Sequence, residues 1–132
     1  MVNSKIVKKD LVYPELSYQI VGVLFEVYKQ LGSKYQEKYY QKAIAVELKK
    51  SGLTFTEQTR IPLNYKETPI GSYVLDFIIE NKIALEIKKN DNFSYKNIEQ
   101  VVAYLKALNL KLGILANFTH KGLFYKRILN IN

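Results

Sequence analysis

The hydrophobic period of this chain changes near Leu53, and that change limits the folds open to it. Upstream, Leu16, Ile20, Val23, Leu24, Val27 and Leu31 recur at intervals of three and four, which predicts a helix opened by Pro14 and Glu15 and closed by Gly32. Ser33 is a suitable N-cap for a second helix, with Tyr40, Ala43, Ile44 and Leu48 facing inward and Gly52 ending it. Downstream the period is two: residues 55–63, 72–79 and 83–89 read as strands of an antiparallel meander, separated by NYKETPIG and by Glu80-Asn81-Lys82. Asn92 or Ser94 then caps a third helix carrying Ile98, Val101, Val102, Leu105 and Leu108, and LGILANF and LFYKRIL close the chain as two short strands. The order ααβββαββ, free of repeats, low-complexity segments and linkers, predicts an α+β domain with a mixed sheet flanked by helices.

A length of 132 residues suffices for one hydrophobic core and not for two, so residues 14–132 are expected to form a single domain behind a basic N-terminal segment, residues 1–13. The absence of cysteine removes thiol nucleophiles, zinc–cysteine clusters and disulfides. With His120 the only histidine, a serine–histidine pair or a polyhistidine metal centre is hard to assemble. Carboxylates and lysines remain. The net charge of +8 favours a polyanionic partner, and it is spread along the chain: 11 basic and 6 acidic residues up to Lys66, 9 and 6 after it. No apolar run approaches the ~18 residues of a membrane-spanning helix and no apolar stretch follows the basic N-terminus, so a cytoplasmic protein with no membrane partner is expected.

Within YVLDFII, alternation puts Tyr73, Leu75, Phe77 and Ile79 on one face and Asp76 on the other, amid apolar neighbours. Within KIALEIKK, Glu86 and Lys88 share a face. Whether Asp76 joins them depends on the hairpin. A three-residue loop, Glu80 to Lys82, pairs Ile79 with Ile83 and sets Asp76 opposite Glu86; a two-residue loop puts them on opposite faces. Asn81 tolerates the left-handed conformation that a three-residue loop needs. Two opposed carboxylates, their Cβ atoms ~5 Å apart, destabilise a sheet unless a cation lies between them. Oxygen ligands suit magnesium or manganese, with the backbone carbonyl of Ile87 as a further ligand, and Lys88 would orient or deprotonate water or stabilise charge on a phosphate. The plainer reading is a half-buried Glu86–Lys88 salt bridge beside a solvent-facing Asp76.

From about Leu16 to Leu129 the chain resembles the PD-(D/E)XK nuclease superfamily, and within it the small GxxExxY family. The segments that carry the resemblance are LSYQIVGVLFEVYKQLGSKYQEKYYQKAI, YVLDFII, LEIKK and EQVVAYLKAL. The chain departs from the family's pattern at the glycine of the naming motif, here Lys34, and at a usual histidine, here Tyr28. The resemblance implies a restriction-endonuclease-like core and metal-dependent hydrolysis of DNA phosphodiesters, with Asp76, Glu86 and Lys88 at the site. It also implies Glu37 as a further metal ligand, Tyr40 as its motif partner, and Gln100 and Tyr104 as a QxxxY pair. A catalytically silent nucleic-acid-binding module and a protein-interaction domain are the alternatives.

Read from the residues alone, Glu37 in a first helical turn satisfies the helix dipole, and Gln100 and Tyr104, four apart, would pack on the sheet from one helix face. Glu26, an acid within an apolar helix, is a reserve ligand. Lys89, Lys96 and Lys106 are candidate phosphate contacts. His120 reads as a surface turn residue. Most of the eleven tyrosines are expected in the core, and exposed aromatics would permit a homodimer.

Overall fold

The computed structural model describes residues 12–131, so all but the end of the basic N-terminal segment lies outside the described residues. The elements run α1 (Pro14–Leu31), α2 (Glu37–Lys50), β1 (Phe55–Tyr65), β2 (Thr68–Ile79), β3 (Ile83–Lys88), α3 (Tyr95–Leu108), β4 (Leu112–Thr119) and β5 (Gly122–Leu129). This is the expected order. The sheet follows chain order, β1 to β5, antiparallel except for β3 and β4, which α3 joins as a parallel pair. A parallel pair needs such a crossover, and the crossover places a helix on a sheet face.

The two faces have separate cores. Ile20, Leu24 and Val27 of α1 and Tyr40, Ile44 and Leu48 of α2 pack against Phe77, Ile79, Ile83, Leu85, Ile87, Ile114 and Phe118. Val101, Tyr104 and Leu105 of α3 cover Ile61, Leu75, Ala84, Leu115 and Ile128. Strand β4 is buried along its whole length because helices cover both of its sides. Where α3 crosses it, Gly113 leaves room for the helix: a Cβ there would stand 2.7 Å from Val101 Cγ1.

Three local expectations change. Ser33 does not cap α2, which starts at Glu37 behind an extended Gln36 without a side-chain cap, because the linking turn is held from elsewhere, by Tyr40. The β1–β2 hairpin runs into NYKETPIG, leaving only Lys66 and Glu67 as its turn, both at positive φ, with a register shift between Leu63 and Asn64. Its outer half lies beyond both cores and is exposed, so hydrophobic period could not reveal it. Finally, Leu75 and Phe77 do not share a face: Leu75 packs under α3 and Phe77 under α1 and α2. The ladder between β1 and β2 lapses between Glu57–Phe77 and Thr59–Leu75, opposite Gln58 at φ 51°, and both strands change face there. Asp76 sits at that switch.

Of the two expected caps for α3, Ser94 is used; its Oγ accepts a hydrogen bond from the Lys96 amide at 3.1 Å. Among the described residues no helix is long and apolar enough to cross a membrane.

Candidate active site

Strands β2 and β3 are joined by Glu80, Asn81 and Lys82, and Ile79 pairs with Ile83. Both Glu80 and Asn81 adopt left-handed φ of 55°, where Asn81 alone was expected. Glu80 is held there by Thr54: its amide donates to the Thr54 carbonyl at 2.9 Å, and its carboxylate accepts from the Thr54 amide at 2.6 Å and hydroxyl at 2.8 Å. The register continues through Phe77–Leu85, one step short of Asp76 and Glu86, where the ladder stops. Beyond that point side chains replace the strand-to-strand bonds. Glu86 Oε1 accepts from the Asp76 amide at 3.1 Å, and Asp76 Oδ2 accepts from the Ile87 amide at 2.8 Å.

Both acids are nearly sealed, Asp76 6% and Glu86 4% exposed. Burial pushes the Glu86 carboxyl up to about 7, with the Asp76 charge adding to the rise and Lys88 opposing it. Asp76 is also raised, by burial first, against the Ile87 amide and Lys88, which favour its charge. Lys88 Nζ lies 3.5 Å from Glu86 Oε2, so the expected ion pair exists inside the cluster and not as an alternative to it. Asp76 does not face solvent.

Helix α2 reaches the cluster with two side chains. Glu37, in its first turn, lies against the Lys89 amide and within the fields of Lys88 and Asp76; burial raises its pKa. Gln41, one turn later, donates from Nε2 to Asp76 Oδ1 at 2.9 Å, and Gln58 of β1 approaches the same oxygen at 3.5 Å. No motif pointed to either glutamine. Gln41 was legible only by its spacing of four from Glu37, whereas Gln58 carries no signal. Asn117, 1% exposed and in register with Lys88, was also missed; its Oδ1 accepts from the Asn90 amide at 2.8 Å and fixes the chain leaving β3.

From the other face α3 brings Tyr104, buried and packed edge-on to Tyr73 at 5.9 Å, its hydroxyl pKa raised by burial and by the charges of Glu86 and Asp76. Gln100 and Lys96 line a cleft of about 550 Å³ with Tyr73, Lys88, Asn97, Glu99 and Ala103. Lys89 is half-buried at the end of β3. Lys106 is not brought in: it lies in the last turn of α3, ten residues and ~15 Å along the axis from Lys96. Glu26 turns instead into the groove between α1 and α2 and accepts from Gln30 Nε2 at 2.9 Å, which satisfies an acid on an apolar helix without metal. Tyr40 acts on the backbone: its hydroxyl donates to the Gly32 carbonyl at 2.6 Å and takes up the Tyr35 amide at 3.4 Å, while its ring stacks on Phe118 at 4.5 Å. It thus holds the turn that delivers Glu37, even with Lys34 in place of glycine. At the usual histidine position the Tyr28 hydroxyl donates to the Thr119 carbonyl at 2.8 Å. His120 is exposed, 3.1 Å from Asp91.

Two buried carboxylates, with the Asp76 charge adding to the rise that burial gives the Glu86 pKa and a backbone carbonyl between Glu86 and Lys88, are a donor set that fits a hard divalent cation, whose charge would offset the cost of burying them ionised. Among the described residues no three His, Cys, Asp or Glu side chains converge on one point as they stand. Glu37 is therefore a neighbour of the Asp76–Glu86 pair and not a third member of a closed cage.

The fold resembles that of SSO0001, at a TM-score of 0.57 and 18% identity over 72% of this chain and 50% of that one. An alkaline exonuclease from Laribacter hongkongensis aligns less closely, at a TM-score of 0.49 and 13% identity over 66% and 52%. The chain thus spans about half the length of these structures. No curated protein matches it. The family description that matches residues 14–128 is that of the PD-(D/E)XK nucleases, and with Asp76, Glu86 and Lys88 gathered where β2 and β3 part, the chain belongs to the PD-(D/E)XK nuclease superfamily.

Proposed function

We propose that this protein is a cytoplasmic, divalent-metal-dependent nuclease of the GxxExxY branch that hydrolyses DNA phosphodiesters, with residues 14–132 as its single domain. The observation that carries the reading is the buried Asp76–Glu86 pair, cross-bonded to the opposing backbone where the β2–β3 ladder stops, with Lys88 3.5 Å from Glu86. Asp76, Glu86 and the Ile87 carbonyl would hold magnesium or manganese, with Glu37 contributing through a bridging water. Such an ion supplies charge neutralisation at phosphorus and lowers the pKa of water.

The chain's own residues do the rest. Lys88 holds a proton-bearing group at the phosphate and stabilises the charge that grows there. Gln41 and the Ile87 amide fix the orientation of Asp76. Tyr104 forms the buried wall behind the carboxylates, and Gln100 faces the incoming strand from the cleft. Lys89 and Lys96 contact flanking phosphates, and the net charge of +8 draws the polyanion in. The exposed aromatics leave a homodimer open to it.

Cleavage of single-stranded, duplex and branched DNA, with magnesium or manganese against a chelator, tests the reading. Asp76→Ala and Lys88→Ala are expected to lower the rate at least about a hundredfold. Equal cleavage by the wild type and both variants sinks it. A silent DNA-binding module is the second reading, favoured by one observation: the Asp76 and Glu86 oxygens already have protein partners. Salt-sensitive DNA binding without cleavage would establish it.

A further inference from the structure

The cleft between β2 and α3 has a composition that nothing in the acid cluster requires. Its wall on β2 is Tyr73, 38% exposed, whose ring meets Tyr104 edge-on and so is braced from behind. Its wall on α3 presents Lys96, Asn97, Gln100 and Ala103, which successive turns of one helix bring to the same side. Lys88 enters from the acid cluster, so the cleft and the cluster share a side chain. Glu99 is the one acid lining it, against two lysines.

We infer that this cleft is a nucleotide subsite that takes one unstacked base, its ring against Tyr73 and its edge toward Asn97, with Lys88 and Lys96 on the adjoining phosphates; the inference rests on the nuclease reading and names its substrate as single-stranded DNA or a frayed end. The volume, about 550 Å³, is enough for a single nucleotide. In a duplex, base faces are stacked on their neighbours and unavailable to an aromatic ring, whereas every base of a single strand offers one. Asn97 supplies both a donor and an acceptor, which suits the base edge that duplex pairing would occupy. Recognition through a π-face with one amide is tolerant of sequence, so the subsite selects strandedness and not a base order.

The test measures binding separately from cleavage. Fluorescence anisotropy with a labelled single-stranded oligodeoxynucleotide and a blunt duplex of the same length is read on Glu86→Gln protein, in chelator. The single strand is expected to bind at least fivefold more tightly. Adding Tyr73→Ala should weaken single-strand binding roughly tenfold and duplex binding less than twofold, while Tyr73→Phe keeps the single-strand affinity. Asn97→Ala, on the helix surface, should cost a few-fold without changing the melting temperature. Equal affinity for the two DNA forms, or an unchanged affinity in both Tyr73→Ala and Asn97→Ala, overturns the subsite. If metal-dependent, Asp76-dependent cleavage persists alongside that result, the subsite fails and the nuclease reading stands. Tyr73-dependent single-strand binding without any cleavage leaves the subsite standing and removes the nuclease reading.

Discussion

Asp76 and Glu86 each bond to the backbone of the opposite strand: Glu86 Oε1 takes the Asp76 amide at 3.1 Å, and Asp76 Oδ2 takes the Ile87 amide at 2.8 Å. Two acids therefore close a sheet that has lost its ladder, and they do so while buried, where ionised carboxylates are costly. Stability and chemistry compete at this point.

The Glu86 carboxyl titrates near 7 in the folded protein against about 4.3 in an unfolded chain. Between those values the folded state holds the extra proton, so this group's contribution to stability is full below the lower value and declines as pH rises through 7. In chelator, the melting temperature should fall between pH 5.5 and pH 7.5. Glu86→Gln should flatten that fall and melt higher than the wild type at pH 7.5, and millimolar magnesium or manganese should raise the wild type alone. A wild type that gains stability over this interval, in chelator, contradicts the assignment.

Gln41 should govern the affinity of the site for a divalent ion without touching it. Removing its amide in Gln41→Ala frees Asp76 Oδ1 to turn, and loss of such an outer partner typically costs about 10–100-fold in metal affinity. Calorimetric titration with manganese in the absence of DNA measures this directly. The fold should tolerate the change, since Gln41 is only half-buried.

Tyr40→Phe deletes the bond to the Gly32 carbonyl while leaving the ring on Phe118, and should cost about 1–2 kcal/mol in urea unfolding. Tyr40→Ala also removes a fully buried ring and should cost about 3–5 kcal/mol. The phenylalanine variant separates the two contributions. Because the same bond holds the turn before Glu37, its DNA cleavage should fall as well, under conditions where it is fully folded.

Gly113→Ala should destabilise by about 1–3 kcal/mol, because the added methyl meets Val101 Cγ1 at 2.7 Å and a β-branched side chain on a helix has little rotamer freedom with which to yield. Pairing the change with Val101→Ala should recover part of the loss, as equilibrium unfolding of the single and double variants would register.

The sequence by itself determined the element order, because each helix and most strands have one dry side and periodicity records which side that is. It also determined that Glu86 and Lys88 project together, since alternation along one strand needs no partner. The three-residue connection at Glu80 to Lys82 was an open alternative in the sequence and is realised in the fold, where Thr54, far off in sequence, holds Glu80 in a left-handed conformation that its own residue type does not favour. Only tertiary structure decided the face switch at Asp76, because it arises from a lapse in pairing with Gln58 and leaves no mark on hydrophobic period. The same holds for Gln41, Asn117 and Tyr73, which acquire their places from elements packed against them. Glu26 and Lys106 show the reverse: their residue types suit the chemistry, but one side chain is satisfied by Gln30 and the other lies at the far end of α3. Local spacing fixes the direction of a side chain along its own element, whereas convergence on a site depends on how elements pack, and that is set by long-range burial and pairing.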